Sequence, residues 1–261
     1  MKVAIIVHVF YPDFWPELAE CIRAIDAEKE IVLTCTDAAA VATAKRDFPD
    51  ARVIVCENRG FDVWPFIKAL STLDLDRYDC VVKLHTKRDI NYECKFNGED
   101  FGGSHWRDCL LSFCRTREAW RQTAARLAKR SVGMVADVRT ILRRKDVGRG
   151  DAEAAFDRAL EEIARLGGAT VGKRDRRYVA GTMFAVKIAP LKLLLKRGWS
   201  VDDFAASSHA DDLKYQLAHV AERMLGLAVG ACGMQIAPAT GSIFWHHTLV
   251  SWRRRLKRWR W

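Results

Sequence analysis

No run of apolar residues reaches the roughly 18 to 20 that a membrane-spanning helix requires. The N-terminal MKVAIIVHVFYPDFW has only a short apolar stretch, an early Pro12 and Asp13, and no small-residue cleavage site. The expectation is therefore a cytosolic chain that opens on a β-strand. C-x-x-C pairs are absent as well. The eight cysteines (Cys21, Cys35, Cys56, Cys80, Cys94, Cys109, Cys114 and Cys232) mostly sit inside apolar runs, the pattern of buried free thiols rather than of zinc ligands or disulfides. Glycine (16) and proline (6) are sparse among 261 residues that are 49% hydrophobic, which excludes collagen-like, low-complexity and disordered classes. The chain is long enough for a substantial core, and α/β folds of about 250 residues often form one unit. Neither an internal repeat nor a linker divides it.

Excess charge is also missing from most of the chain. The formal net charge is +10, but six of the 43 Lys and Arg lie in SWRRRLKRWRW (Ser251 to Trp261), which holds no acid. Residues 1–250 carry 37 basic against 33 acidic side chains. A basic face for nucleic acid is not indicated. The tail instead combines Trp252, Trp259 and Trp261 with arginines. As a helix it would set Trp252, Leu256 and Trp259 on one stripe, suited to the headgroup region of an anionic membrane.

Short apolar runs alternate with helical periodicity. Strands are expected over Lys2 to Phe10, Glu30 to Cys35, Ala51 to Cys56 and Tyr78 to Leu84, with helices over Phe14 to Ile25, Ala38 to Phe48 and Val63 to Leu73. This rhythm implies an α/β domain, a mostly parallel central sheet flanked by helices, in which ligands bind beyond the carboxyl ends of the strands. Beyond a loop over Asp89 to Ser104, helices are expected within His105 to Arg130, over Asp151 to Leu166, Leu191 to Lys196 and Asp211 to Leu225. Strands are expected over Val132 to Ala136 and Tyr178 to Val186.

Three polar constellations fall near the expected ligand edge. After the third strand stands Asn58-Arg59-Gly60-Phe61-Asp62, a glycine that lets backbone approach a phosphate or ribose, followed by an acid able to hold a hydroxyl; N-x-G is also an ordinary turn. After the fourth strand stands His85-Thr86-Lys87-Arg88. A D-x-D carboxylate pair at this point would hold a divalent cation. Here the point is basic, so Lys87 and Arg88 are suited to neutralise a diphosphate directly, with His85 and Thr86 as donors. The third constellation joins Gly181-Thr182-Met183-Phe184 to Ala218-His219 and Glu222-Arg223. His219 and Glu222 share a helix face with Asp212. A helix-borne carboxylate beside a cleft is a common general base, and Glu222 serves equally as a structural ion-pair member.

In this order the motifs VHVFYPDFWPEL (Val7 to Leu18), NRGFDVWPF (Asn58 to Phe66), YDCVVKLHTKRD (Tyr78 to Asp89), Trp106-Arg107, VGMV (Val132 to Val135), AGTMFAV (Ala180 to Val186) and AHVAER (Ala218 to Arg223) make the chain resemble the rhamnan synthesis F (RgpF-like) family of bacterial polysaccharide glycosyltransferases. The resemblance spans most of residues 3–225. It implies a GT-A-like fold and transfer of a sugar, typically rhamnose from dTDP-rhamnose, onto a growing glycan. There are departures: Phe61 stands where the family often has a basic residue, H-T-K-K-S reads His85-Thr86-Lys87-Arg88-Asp89, and Asp211 and Asp212 lie far upstream of His219.

Together these readings set the expectations. Residues 1–250 form one GT-A-like domain and 251–261 a basic amphipathic tail at the inner face of the cytoplasmic membrane. Asn58, Arg59, Gly60, Asp62, His85, Thr86, Lys87 and Arg88 bind the donor; Gly181, Thr182 and Met183 line the acceptor side. Asp212 or Glu222, with His219 nearby, supplies the base. The acceptor is a glycan, free or lipid-linked, and neither a cofactor nor a divalent metal is required. The alternative is a non-catalytic relative that binds glycans or organises a complex.

Overall fold

A computed structural model describes residues 1–89, 95–96, 99–100, 102–146, 150–167, 169–205 and 217–241. Asp212 and the tail 251–261 lie outside the described residues, as do 90–94, 97–98 and 101 of the expected loop over Asp89 to Ser104.

The elements follow the apolar pattern. Strand β1 (Lys2–His8) is succeeded by α1 (Trp15–Ala24), β2 (Glu28–Cys35), α2 (Ala42–Asp47), β3 (Arg52–Val55), α3 (Val63–Ser71) and β4 (Cys80–His85). Then come α4 (His105–Leu111), α5 (Arg117–Leu127), β5 (Val132–Ala136), β6 (Ile141–Arg143), α6 (Asp151–Arg165), β7 (Arg177–Val179), β8 (Phe184–Lys187), α7 (Ile188–Leu195), α8 (Leu217–Ala231) and β9 (Gln235–Pro238). Seven strands form the central sheet in the order β9-β5-β8-β4-β1-β2-β3. Every pair is parallel except those of β8, which runs antiparallel to β4 and β5. The sheet is mostly parallel and flanked by helices, as expected.

Strands β1 and β4 are buried along almost their whole length, which is why both read as continuous apolar runs rather than alternating ones. Chain order reverses between them: β1 leads outward through β2 to β3, and α3 carries the chain back to β4 on the other side of β1. Such a reversal opens a crevice at the carboxyl ends of the two strands. In register, His8 at the end of β1 lies opposite Thr34 on β2 and His85 on β4.

Two expectations need correction. Tyr178 to Val186 is not one strand. Gly181 (φ +76°) and Thr182 (φ +51°) turn the chain through left-handed conformations, so β7 pairs with β6 in a small separate ladder while β8 enters the central sheet. The last helix, among the described residues, continues past Leu225 to Ala231. Six of the seven described cysteines are buried, Cys232 is half-buried, and all seven are free thiols. No helix among the described residues is long and apolar enough to cross a membrane.

Candidate functional site

A cleft of about 270 Å³ opens at the reversal point, lined by His8, Phe10 and Tyr11 from the end of β1, Asn58, Phe61 and Asp62 from the turn after β3, and His85, Thr86 and Lys87 from the end of β4. Segments more than seventy residues apart meet here because parallel β1 and β4 end side by side.

The floor is a hydrogen-bonded triangle drawn from three motifs. Lys83, in the interior of β4 and 1% exposed, forms a salt bridge with Asp62 at the N-terminus of α3. Its ammonium also donates to Thr182 Oγ1 at 2.7 Å, and the Thr182 hydroxyl donates to Asp62 Oδ2 at 2.5 Å. Burial opposes charge on Asp62, but His85, Lys83 and the Thr182 hydroxyl more than offset it and hold the carboxyl well below the ordinary range. Asp62 is thus a fixed anion. Each of its flanks is strained: Phe61 (φ +54°) and Thr182 (φ +51°) are non-glycine residues in the left-handed region, and a β-branched residue there is a marked outlier.

The two histidines differ. His85 directs Nε2 at the Gly181 carbonyl oxygen (2.9 Å) and Nδ1 toward the Thr86 carbonyl (3.2 Å), with Asp62 Oδ2 3.9 Å from Nε2. The neutral ring carries one N–H, which Nε2 donates to the Gly181 carbonyl, so His85 is a brace for the Gly181 turn and has no second N–H to offer a diphosphate. His8 is bound on one side only: Nδ1 is 3.1 Å from Thr34 Oγ1, whose own proton is directed at the Val7 carbonyl. In the tautomer in which Nδ1 donates to Thr34, Nε2 keeps a lone pair. Burial pushes both imidazoles down to about 4, against the pull of Asp62, so both are neutral at neutral pH.

Thr86 accepts the backbone N–H groups of Phe10 (2.9 Å) and Tyr11 (2.8 Å). Both hydroxyl lone pairs are then used, which leaves Thr86 a donor only. Lys87 lines the cleft, and its carbonyl accepts from Arg107 (3.3 Å). Arg107 is buried, grips Glu17 of α1 through two bonds (2.8 and 2.9 Å), pairs with Asp89 and lies over the Phe14 ring. Residues 87–89 are thereby pinned to α1. Arg88 is outside the lining and stacks on Tyr11 at 4.2 Å.

Several residues expected to contact donor or acceptor are engaged within the fold. The Gly60 amide donates to the Ala205 carbonyl (3.3 Å), and a Cβ at Gly60 would stand 2.6 Å from the Phe204 ring. The glycine serves packing of the 204–205 segment, not backbone approach to a phosphate. Arg59 donates to the Phe204 carbonyl (2.9 Å) and is engaged there rather than in the cleft. Gly181 donates its N–H to Glu222 Oε1 (3.0 Å), Thr182 is in the triangle, and Met183 is 1% exposed in the core, so none of the three lines the cleft. Glu222, whose other oxygen pairs with Arg223 (3.0 Å), is the anchor of the Gly181 turn. Burial pushes its carboxyl up. His219 is half-buried with its ring against the edge of Phe61 at 5.8 Å.

His8, Lys83, Phe10, Tyr11 and Arg107 carry no assigned role in the sequence reading. A lysine inside the apolar run YDCVVKL and a histidine ending KVAIIVH were the available signals, since a charged or titratable residue in a both-faces-buried strand needs a partner.

The model of the family described as rhamnan synthesis protein F matches residues 1–234. The uncharacterized protein WxcX of two strains of Xanthomonas campestris pv. campestris is 24% identical over 239 residues, 90% of this chain and 32% of the relative. The chain thus spans about a third of the length of these curated relatives. Among solved structures, CMP:2-keto-3-deoxy-manno-octonic acid synthetase complexed with CTP gives a TM-score of 0.45 at 8% identity, covering 98% of this chain and 99% of that one.

Proposed function

The chain belongs to the rhamnan synthesis protein F family, and from that premise we propose that it transfers a sugar, rhamnose first, from a nucleotide diphosphate donor to a growing bacterial surface glycan on a GT-A-like fold. The observation that supports this most is the convergence of three sequence-distant motifs on one cleft at the reversal between β1 and β4, the place where open α/β sheets bind nucleotides.

The donor diphosphate lies against Lys87 and the Thr86 hydroxyl, which stabilise negative charge as the leaving group departs. Arg88 stands at the rim on Tyr11. An acceptor hydroxyl gives its proton to His8 Nε2; its oxygen bonds the anomeric carbon, and the bond from that carbon to the diphosphate oxygen breaks with its electron pair on the diphosphate. His8 is the base that the described cleft offers; Asp212, outside the described residues, is the competing candidate. An arriving diphosphate raises the proton affinity of the neighbouring imidazole, which moves His8 toward the range useful for general-base work. Anchoring through 251–261 to an anionic membrane surface would suit extension of a lipid-linked glycan.

The test is a thermal-shift screen of nucleotides and nucleotide sugars, followed by donor turnover. A donor that binds the folded state raises the melting temperature. Binding with turnover that falls about a hundredfold or more in His8→Gln fits general-base loss. Binding without hydrolysis or transfer favours the second reading, a non-catalytic relative, and absence of nucleotide binding overturns both donor-based roles.

A further inference from the structure

We infer that Phe61 is a stacking platform for a ring of the bound donor, an inference that rests on reading the cleft as the donor site. Phe61 sits at φ +54° directly after Gly60 at φ +61°. In that region an L side chain crowds its own backbone, so glycine or asparagine is at ease there and a bulky aromatic is not. The ring is also 38% exposed, whereas its neighbours Trp64, Phe66 and Phe204 are buried. Packing of the core therefore explains neither the backbone conformation nor the exposure.

The surroundings point to a ligand. Phe61 lines the cleft together with Tyr11 and with Phe10, itself 37% exposed. From α8, His219 meets Phe61 edge-on at 5.8 Å and buttresses it. The left-handed turn also divides two consecutive residues between two tasks: Asp62 enters the triangle with Lys83 and Thr182, while Phe61 is presented to the cleft. An aromatic face beside a fixed carboxylate and the Asn58 amide suits a ring with one apolar face and polar edges. The base and the sugar of a nucleotide sugar share that chemistry.

The experiment is calorimetric titration of the full chain with dTDP and with dTDP-rhamnose, comparing wild type, Phe61→Asn and Phe61→Tyr, with thermal midpoints of the unliganded proteins. Asparagine tolerates the left-handed conformation and removes the ring; tyrosine keeps it. Phe61→Asn is expected to weaken binding roughly five- to a hundredfold. Its thermal midpoint should equal or exceed that of wild type, and Phe61→Tyr should bind within about twofold of wild type. Loss for both ligands assigns the platform to the base; loss confined to dTDP-rhamnose assigns it to the sugar. Unchanged affinity for both in Phe61→Asn overturns the platform alone. A midpoint lowered by several degrees, or equal loss in Phe61→Tyr, also overturns it, by making the ring a packing element. A wild type that binds neither ligand overturns the donor site itself and the platform with it.

Discussion

Lys83 and Asp62 form a salt bridge across the base of the cleft, one from the interior of β4 and the other from the first turn leading into α3, and Thr182 closes the triangle from a third segment. The pair ties the donor-side turn to the strand end that carries Lys87. Replacing the lysine by an apolar isostere leaves a largely buried carboxylate without its cation, a loss of about 3 kcal/mol. Lys83→Met should therefore lower the urea midpoint, and Lys83→Met with Asp62→Asn should cost less than the two single changes summed. Additive effects, or a negligible effect of Lys83→Met, would contradict the arrangement.

Stability should fall as pH drops from about 6.5 to about 4. His8 and His85, pushed down to about 4 by burial, stay neutral in the folded state while their unfolded counterparts take up protons below 6.5. The unfolded state then binds more protons, and the folded state loses roughly 3 kcal/mol per histidine by the bottom of that range. Carboxylates with depressed values, such as Asp62, add to the loss only below about pH 4. Denaturant midpoints at pH 7.5, 5.5 and 4.5 measure this, and His85→Gln should reduce the slope. A flat profile would mean that the imidazoles take up protons in the fold as readily as in the unfolded chain.

Glu222→Gln should keep most activity. The amide oxygen still accepts the Gly181 N–H, so the turn survives, although the neighbouring Arg223 loses its charge partner. Glu222→Ala removes the acceptor and should cost about 1–3 kcal/mol of stability. If Glu222→Gln abolishes transfer while the protein remains folded and binds donor, Glu222 is a base after all.

Transfer should survive chelation. Among the described residues, Asp62 is the one carboxylate lining the cleft and is already neutralised by Lys83, and no three His, Cys, Asp or Glu side chains are grouped to hold a metal ion. Cationic Lys87 takes the diphosphate charge instead. Dialysis against a chelator before a transfer assay checks this; loss restored by magnesium or manganese would show that the cleft takes a cation.

Strands β1 and β4 were legible because a parallel strand buried on both faces writes itself as an apolar run, and the partly exposed β2 and β3 because short β-branched runs stood between helical patterns. The position of the cleft followed from that topology, and Asp62, His85, Thr86 and Lys87 were found by standing at strand ends. What each does was not legible. Spacing put Glu222 on a plausible face, but only the fold shows its oxygen taken by the Gly181 amide. Gly60 looked like a phosphate-approach glycine, yet the space it leaves is filled by Phe204, more than a hundred residues away. Lys83 was hidden because a strand pattern registers its neighbours, and its partner lies on another element. The split of Tyr178 to Val186 depends on two left-handed residues that periodicity does not reveal.

The most direct test of the donor cleft is calorimetric titration of wild type and Lys87→Ala with dTDP. Lys87 lines the cleft while its carbonyl is fixed by Arg107, so removing the side chain leaves the backbone in place. Loss of a charge-assisted hydrogen bond of about 1.5–3 kcal/mol should weaken binding roughly ten- to a hundredfold with an unchanged melting temperature. Wild-type binding that Lys87→Ala leaves unaltered would contradict the account.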